Sequence, residues 1–253
     1  FKNSDIIINH LYEIQKLEYV RKQILIEDKV AEREIQNLIA YEKDVLNKAI
    51  NYSLVSFSKN IEWFYKGKQK HIHSQADFNK LLSEICNDVY YATPKIQNEL
   101  FNKQKINSAI SLARVKLLNT LIDDNCVATN DLGFEEGKFP PEKTIYYTLL
   151  KNTGIHREIN GAYSLCEPNN DSIKDLWNKC EDFLKSAIEK QRKLGDLIKE
   201  LRTAPFKLKQ GFLDFWIPVY LIIRKQDYSL YDSDGRYIPN INREVLDLLQ
   251  KSP

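Results

Sequence analysis

The chain has 253 residues, 43% of them hydrophobic and 28% charged, with 37 Lys and Arg against 35 Asp and Glu. That length suits one large domain or two to three small ones, and the apolar share is enough to bury a core. A formal charge of +2 excludes a global field that draws the chain onto nucleic acid, so any such contact has to come from a local patch. No apolar run is long enough to cross a bilayer and no signal-peptide pattern opens the chain, so a cytoplasmic location with no membrane contact is expected. Cys86, Cys126, Cys166 and Cys180 are scattered without a CxxC pair and read as reduced thiols. The chain opens at Phe1 and contains no methionine, which reads as a piece of a longer protein.

Residues 1–66 form the first expected segment. Leu11, Ile14 and Leu17, then Ile35, Leu38, Val45 and Leu46, recur at a spacing that drifts between three and four. That drift predicts a long helix or an antiparallel helical hairpin over 4–65 rather than a strict coiled coil. Asp44 and Lys48 fall as i,i+4 neighbours on its outer side. Trp63, Phe64 and Tyr65 at its end suit an aromatic plug; a base-stacking platform is the sharper alternative. His71 and His73 form the one histidine pair, but no third ligand stands nearby and no metal site is expected. Ser74 caps a helix that buries Phe78, Leu81, Leu82, Ile85, Val89 and Tyr90.

The stretch 93–118 carries the functional expectation. Thr93 suits a cap and Pro94 the first helical position, with Ile96 and Leu100 giving one apolar face. Asn102 to Lys105 interrupts. Asn107 or Ser108 then caps a second helix whose stripe includes Ile110, Val115, Leu117, Leu118, Leu121 and Ile122. Helix, polar turn and longer helix is the outline of a helix-turn-helix, in which the start of the second helix faces the bases. Lys95, Lys103, Lys105, Arg114 and Lys116 stand against Glu99 alone, a local excess that suits phosphates, while Asn107, Ser108 and Ser111 are placed to reach base edges.

After a polar stretch, Pro140 and Pro141 open another helix that ends at Gly154. Asn160-Gly161 then marks a hairpin turn, and a hairpin after a helical triplet is the wing of a winged helix, with His156 and Arg157 near its tip or base. Gly133 and Gly137 in GFEEGKF do not make a phosphate loop, because the glycines are four apart and Phe139 takes the hydroxyl position. Residues 171–203 read as a second long helix, capped by Asp171 or Ser172 and ended by Pro205. The apolar run from Phe212 to Ile223 follows, with Pro218 kinking it or marking its start. An Asp-Ser-Asp-Gly turn at 232–235 joins a strand pair, and Asp232 and Asp234 are turn formers rather than calcium ligands. A short helix closes the chain.

These elements predict a mainly α fold with small β-hairpins, in which winged-helix-like modules are joined by long helices. The expected divisions are a helix or hairpin over 1–66, a winged-helix-like domain over 67–169, a connecting helix over 170–204 and a second small winged-helix-like module over 205–253. Glu135-Glu136 and Asp123-Asp124 sit in polar loops where solvated acids are the default, and no nucleophile–base set stands out, so no catalytic residue, metal or cofactor is expected.

The segments LLSEICNDVYYATPKIQNELFNKQKINSAISLARVKLL, FPPEKTIYYTLLKNTGIHR and PFKLKQGFLDFWIPVYLIIRKQDYSLYDSDGRYIP resemble large bacterial ATP-binding proteins of phage-defence islands, the BREX-type ATPase class. The likeness covers residues 60–253, a region beyond the nucleotide-binding part. The resemblance implies a multidomain P-loop parent acting on or near DNA, with a methyltransferase and other subunits of a defence complex as partners. No Walker sequence is present, so ATP hydrolysis carries over to no residue here. The expected function is a non-catalytic contact to double-stranded DNA, or a regulatory role, through Lys95, Lys103, Lys105, Asn107, Ser108, Ser111, Arg114 and Arg157. The alternative is a protein–protein scaffold that docks through the helices at 4–65 and 171–203.

Overall fold

A computed structural model describes residues 4–23, 28–54 and 61–251. Among these residues helices dominate, and strands occur only as short antiparallel pairs. The chain divides into two compact units, Phe1–Ile85 and Cys86–Pro253.

In the first unit, α1 (Ser4–Gln23) and α2 (Lys29–Leu54) pair, with Asp28 capping α2 by accepting from Val30 N and Ala31 N at 3.0 Å each. His10 meets Glu42 at 2.6 Å and Arg21 meets Glu32 at 3.5 Å, so the helices run antiparallel. Ile14, Ile39 and Leu46 are the buried apolar residues of this pair. The aromatic triplet does not extend the helix. Trp63–Tyr65 is strand β1, paired with β2 (Lys68–Lys70) across a two-residue turn in which Lys66 and Gly67 have φ of 50° and 73°. Both central residues in the left-handed region is what a tight hairpin of this kind requires. The Trp63 ring lies 5.0 Å from Phe78 on α3 (Gln75–Val89), so it packs rather than offering a free face. Ser74 Oγ accepts from Asp77 N while Asp77 accepts from His73 N, a reciprocal cap at the start of α3.

The second unit contains α4 (Ser108–Ile122), α5 (Asp124–Val127) and α6 (Pro141–Tyr146), which runs on into a wider π turn over Tyr147–Lys151. Strands β3 (His156–Ile159) and β4 (Ala162–Leu165) follow, joined through Asn160 and Gly161 at φ of 52° and 83° as the turn pair predicts. The remaining elements are α7 (Asp171–Glu189), α8 (Leu194–Leu201), α9 (Gln210–Ile223), β5 (Leu230–Tyr231), β6 (Tyr237–Ile238) and α10 (Arg243–Lys251).

The core of this unit is built around α9. Every residue from Gly211 to Ile222 except Asp214 is buried, because a helix apolar on all sides has no face to give to water. Leu117, Leu118 and Leu121 of α4, Leu176, Trp177 and Cys180 of α7, Leu197 and Leu201 of α8, and Leu246 of α10 belong to the same core. Trp216 Nε1 donates to Cys180 Sγ at 3.4 Å, and burial pushes that thiol up to about 12. Glu181 holds the far end of α9, accepting from Arg224 Nε and Nη2 at 2.8 and 2.6 Å and from the Tyr220 hydroxyl at 2.9 Å.

The expected long helix over 171–203 is two helices, separated by Lys190–Lys193. Glu189 to Lys193 supplies no apolar side chain to stay on the core, and Ile188 just before it is 85% exposed. Both helices bury their apolar faces in the second unit, so they are core elements rather than a connector. The expected boundaries near 169 and 204 fall inside one compact unit. Pro218 does not start α9; the helix runs through it.

Candidate nucleic-acid interface

Residues 94–101 form no helix, so the expected helix-turn-helix lacks its first member. Asn98 explains why: its carbonyl accepts from Leu100 N at 2.9 Å and its amide donates to Thr148 Oγ1 at 2.8 Å. A side chain that bonds the backbone two residues on competes with helical pairing. The Thr93 hydroxyl donates to Phe206 O at 2.5 Å instead of capping, and Pro94 is buried.

What the stretch forms is a seam with a second loop distant in sequence. Gly211 N donates to Lys103 O at 2.8 Å and Lys209 Nζ donates to Asn102 O at 3.2 Å. A Cβ at position 211 would lie 2.5 Å from Phe101 O and 2.7 Å from Lys103 O, so glycine permits the approach. Loop 93–107 and loop 202–211 therefore run together, tied at Thr93–Phe206 and again at Lys103–Gly211. Lys95, Lys103, Lys105, Arg202, Lys207 and Lys209 are all exposed on these loops, and Glu99 is the one acidic residue within them. None of the six cations pairs with a carboxylate among the described residues.

Three of the residues expected to contact nucleic acid, Lys95, Lys103 and Lys105, stand on this seam, and Lys207, Lys209 and Arg202 join them. Asn107 is exposed, but its side-chain oxygen caps α4 by accepting from Ile110 N at 2.9 Å. Ser108 is exposed in the first turn of α4 and Ser111 is half-buried. Arg114 is a correction: it is 1% exposed and meets no surface ligand. Arg157 is another. Its guanidinium donates to Gly154 O and, at 2.7 Å, to Glu167 O, so it braces the base of the β3–β4 hairpin. His156 beside it is 2% exposed.

The reason for burying Arg114 lies in α9. In an α-helix the N–H of residue 218 would bond the carbonyl of residue 214, and proline has no N–H to give. Arg114 Nε donates to Asp214 O at 2.7 Å and Nη2 donates to Leu246 O at 3.2 Å. The guanidinium thus satisfies the carbonyl that Pro218 leaves without a helical donor. Burial pushes its pKa down, and Asp214 and Asp247 act in the opposite sense.

A second cluster carries no sequence signal beyond the Asn-Asp-Leu-Gly run at 130–133. Asp131, Leu132 and Gly133 have φ of 52°, 54° and 71°, three successive left-handed residues before α6. Asp131 accepts from Lys151 Nζ at 2.5 Å and from the Tyr147 hydroxyl at 2.6 Å, both on the π turn. The Tyr146 hydroxyl lies 2.7 Å from His156 Nδ1, and His156 Nε2 lies 2.8 Å from Val127 O. Since only an N–H can face that carbonyl, Nε2 carries hydrogen and neutral Nδ1 accepts from Tyr146. Burial would raise the Asp131 carboxyl, but the bonds from Lys151 and Tyr147 hold it below its usual range. Burial also lowers the His156 imidazole, with the Val127 bond working against it. This network fastens α5, the left-handed turn, the π turn and β3 to one another.

Among the described residues no group of three or more His, Cys, Asp or Glu side chains has the arrangement of a metal site. The His71 and His73 rings stack with centroids 6.4 Å apart. No helix of the described residues is long and apolar enough to cross a membrane. No protein-family model, no curated protein and no solved structure matches the chain.

Proposed function

We propose that the chain is a non-catalytic, DNA-contacting region that works within a larger bacterial defence ATPase in the cytoplasm, and that its second unit is winged-helix-like. The observation that carries the contact is the two-loop seam, whose loops carry six exposed cations against Glu99 with no ion pair among the described residues, while Asp175, Asp182 and Glu200 line the hollow beside residues 203–206. Two helix-then-hairpin sequences, α6 with β3–β4 and α9 with β5–β6, support the winged-helix reading. The binding charge stands on the loops that precede α4 and α9, since α9 itself is buried.

Fluorescence anisotropy of a labelled duplex at low and moderate salt tests the contact. The expected result is binding that falls steeply with salt, with a slope that drops by about three when Lys103, Lys105 and Lys207 are changed to Gln. A chain that leaves duplex DNA unbound at low salt overturns this reading. The scaffold alternative then stands on the first unit, where Tyr12, Tyr19 and Tyr41 of α1 and α2 are each more than 60% exposed.

A further inference from the structure

We infer that α1 is a self-pairing face, through which two copies of the chain join side by side and antiparallel. The helix carries apolar residues on two sides. Ile14 is buried in the pair with α2. Roughly a third of a turn around the helix from it lies a second row. Asp5, Ile8, Tyr12, Gln15, Tyr19 and Lys22 follow one another at alternating steps of three and four, and all six are exposed. That alternation is the spacing that keeps side chains on one seam between two helices. Ile8 is 47% exposed, Tyr12 61% and Tyr19 63%, so the row offers its apolar centre to water.

The charges at its ends say what covers it. Asp5 stands at one end and Lys22 at the other, and the row is symmetric about the point between Glu13 and Ile14. Turned end for end, it complements itself. Asp5 meets Lys22 of the second copy, Ile8 meets Tyr19 and Tyr12 meets Gln15, each contact occurring twice about a two-fold axis. A parallel pairing would set Asp5 against Asp5 and Lys22 against Lys22, and it would align the two helix dipoles. Gln15 near the middle of the seam fixes the register at some cost in stability. Tyrosine suits such a place, since its ring is apolar while its hydroxyl reaches water at the rim. One helix face per chain gives a small interface, below about 1,200 Å² in total, so the dimer forms reversibly. None of this depends on the DNA contact proposed above.

Sedimentation equilibrium of the whole chain, freed of nucleic acid and followed from about 1 to 100 μM, tests the pairing. The expected result is a monomer–dimer equilibrium. Asp5→Lys and Lys22→Asp should each weaken it by about fivefold or more, because each reversal sets two pairs of like charges on a symmetric interface. An equimolar mixture of the two variants should regain the original affinity within about twofold, since every mixed end contact is again opposite in sign. Tyr12→Glu should abolish the dimer and leave the far-ultraviolet circular dichroism unchanged, because the position is exposed in the single chain. A chain that stays monomeric at about 100 μM overturns the inference. So does a dimer that Tyr12→Glu leaves intact, a pair of charge variants that dimerise like the original, or a mixture no stronger than its components.

Discussion

The α1–α2 pair and the α9 core hold together by different means. The pair buries Ile14, Ile39 and Leu46 and carries exposed ion pairs such as Lys16–Glu13, Lys43–Glu18 and Lys48–Asp44. Around α9, five helices share an apolar core, and the buried Arg114 and His156 beside it have hydrogen-bond partners. Exposed ion pairs contribute little, because water screens them and ordering two long side chains costs entropy. Stability therefore resides in the second unit's interior, and its charged loops are free to serve binding.

Truncation of Trp216 to Ala is expected to break the contrast most visibly. It empties the centre of the α9 core and should cost about 3–5 kcal/mol in denaturant unfolding of the second unit. A loss near that of a surface change would mean that α9 is not the organising element. Next comes Arg114→Met, which strips donors from two buried carbonyls and should cost roughly 2–4 kcal/mol. Pro218→Ala restores a backbone N–H opposite Asp214 O, so a double-mutant cycle should show coupling of about 1 kcal/mol or more. Additive effects would sink the account of Arg114 as the stand-in donor. Neither change should alter the salt slope of the folded protein on DNA.

Tyr146→Phe is expected to cost about 1–2 kcal/mol by leaving His156 Nδ1 without its donor. The same cluster sets a pH dependence. The His156 pKa is lowered on folding, so the unfolded chain takes up the proton first as pH falls. Its contribution is intact above the unfolded imidazole value of about 6.5 and is lost as pH falls through the lower folded value. Asp131 acts in the same sense at more acid pH, being lowered on folding as well. Urea midpoints measured from neutral to acid pH should decline in two stages, with the first stage absent in His156→Gln. The smallest effect belongs to the helical pair: Lys43→Gln should change stability by under about 0.5 kcal/mol, read by amide exchange in α1 and α2. A larger loss would show that the pair depends on its charges after all.

Much of the fold is legible in local chemistry. The Asn107 cap of α4, the Asn160-Gly161 and Asp-Ser-Asp-Gly hairpins and the proline start of α6 follow from residues acting on their own neighbours. The failures involve partners far along the chain. Nothing near Pro94 announces that Asn98 will reach Thr148, nor does Arg114 announce a proline 104 positions on that leaves a carbonyl for it. The candidate interface splits the same way: Lys103 and Lys105 are visible as a local excess, whereas Lys207 and Lys209 join only because Gly211 lets two loops touch.

The π turn has a consequence for insertions and deletions. Its bonds, such as Asn152 N to Tyr147 O, span five residues rather than four, so the helix carries one residue more than an ordinary turn. Removing any one residue between 147 and 151 would restore the tighter winding. The helix on either side would keep close to its present phase, because the residue lost is the one that the wide turn takes up. At this place the chain is expected to accept the loss of one residue more readily than in an ordinary helical turn, where a deletion changes which groups meet.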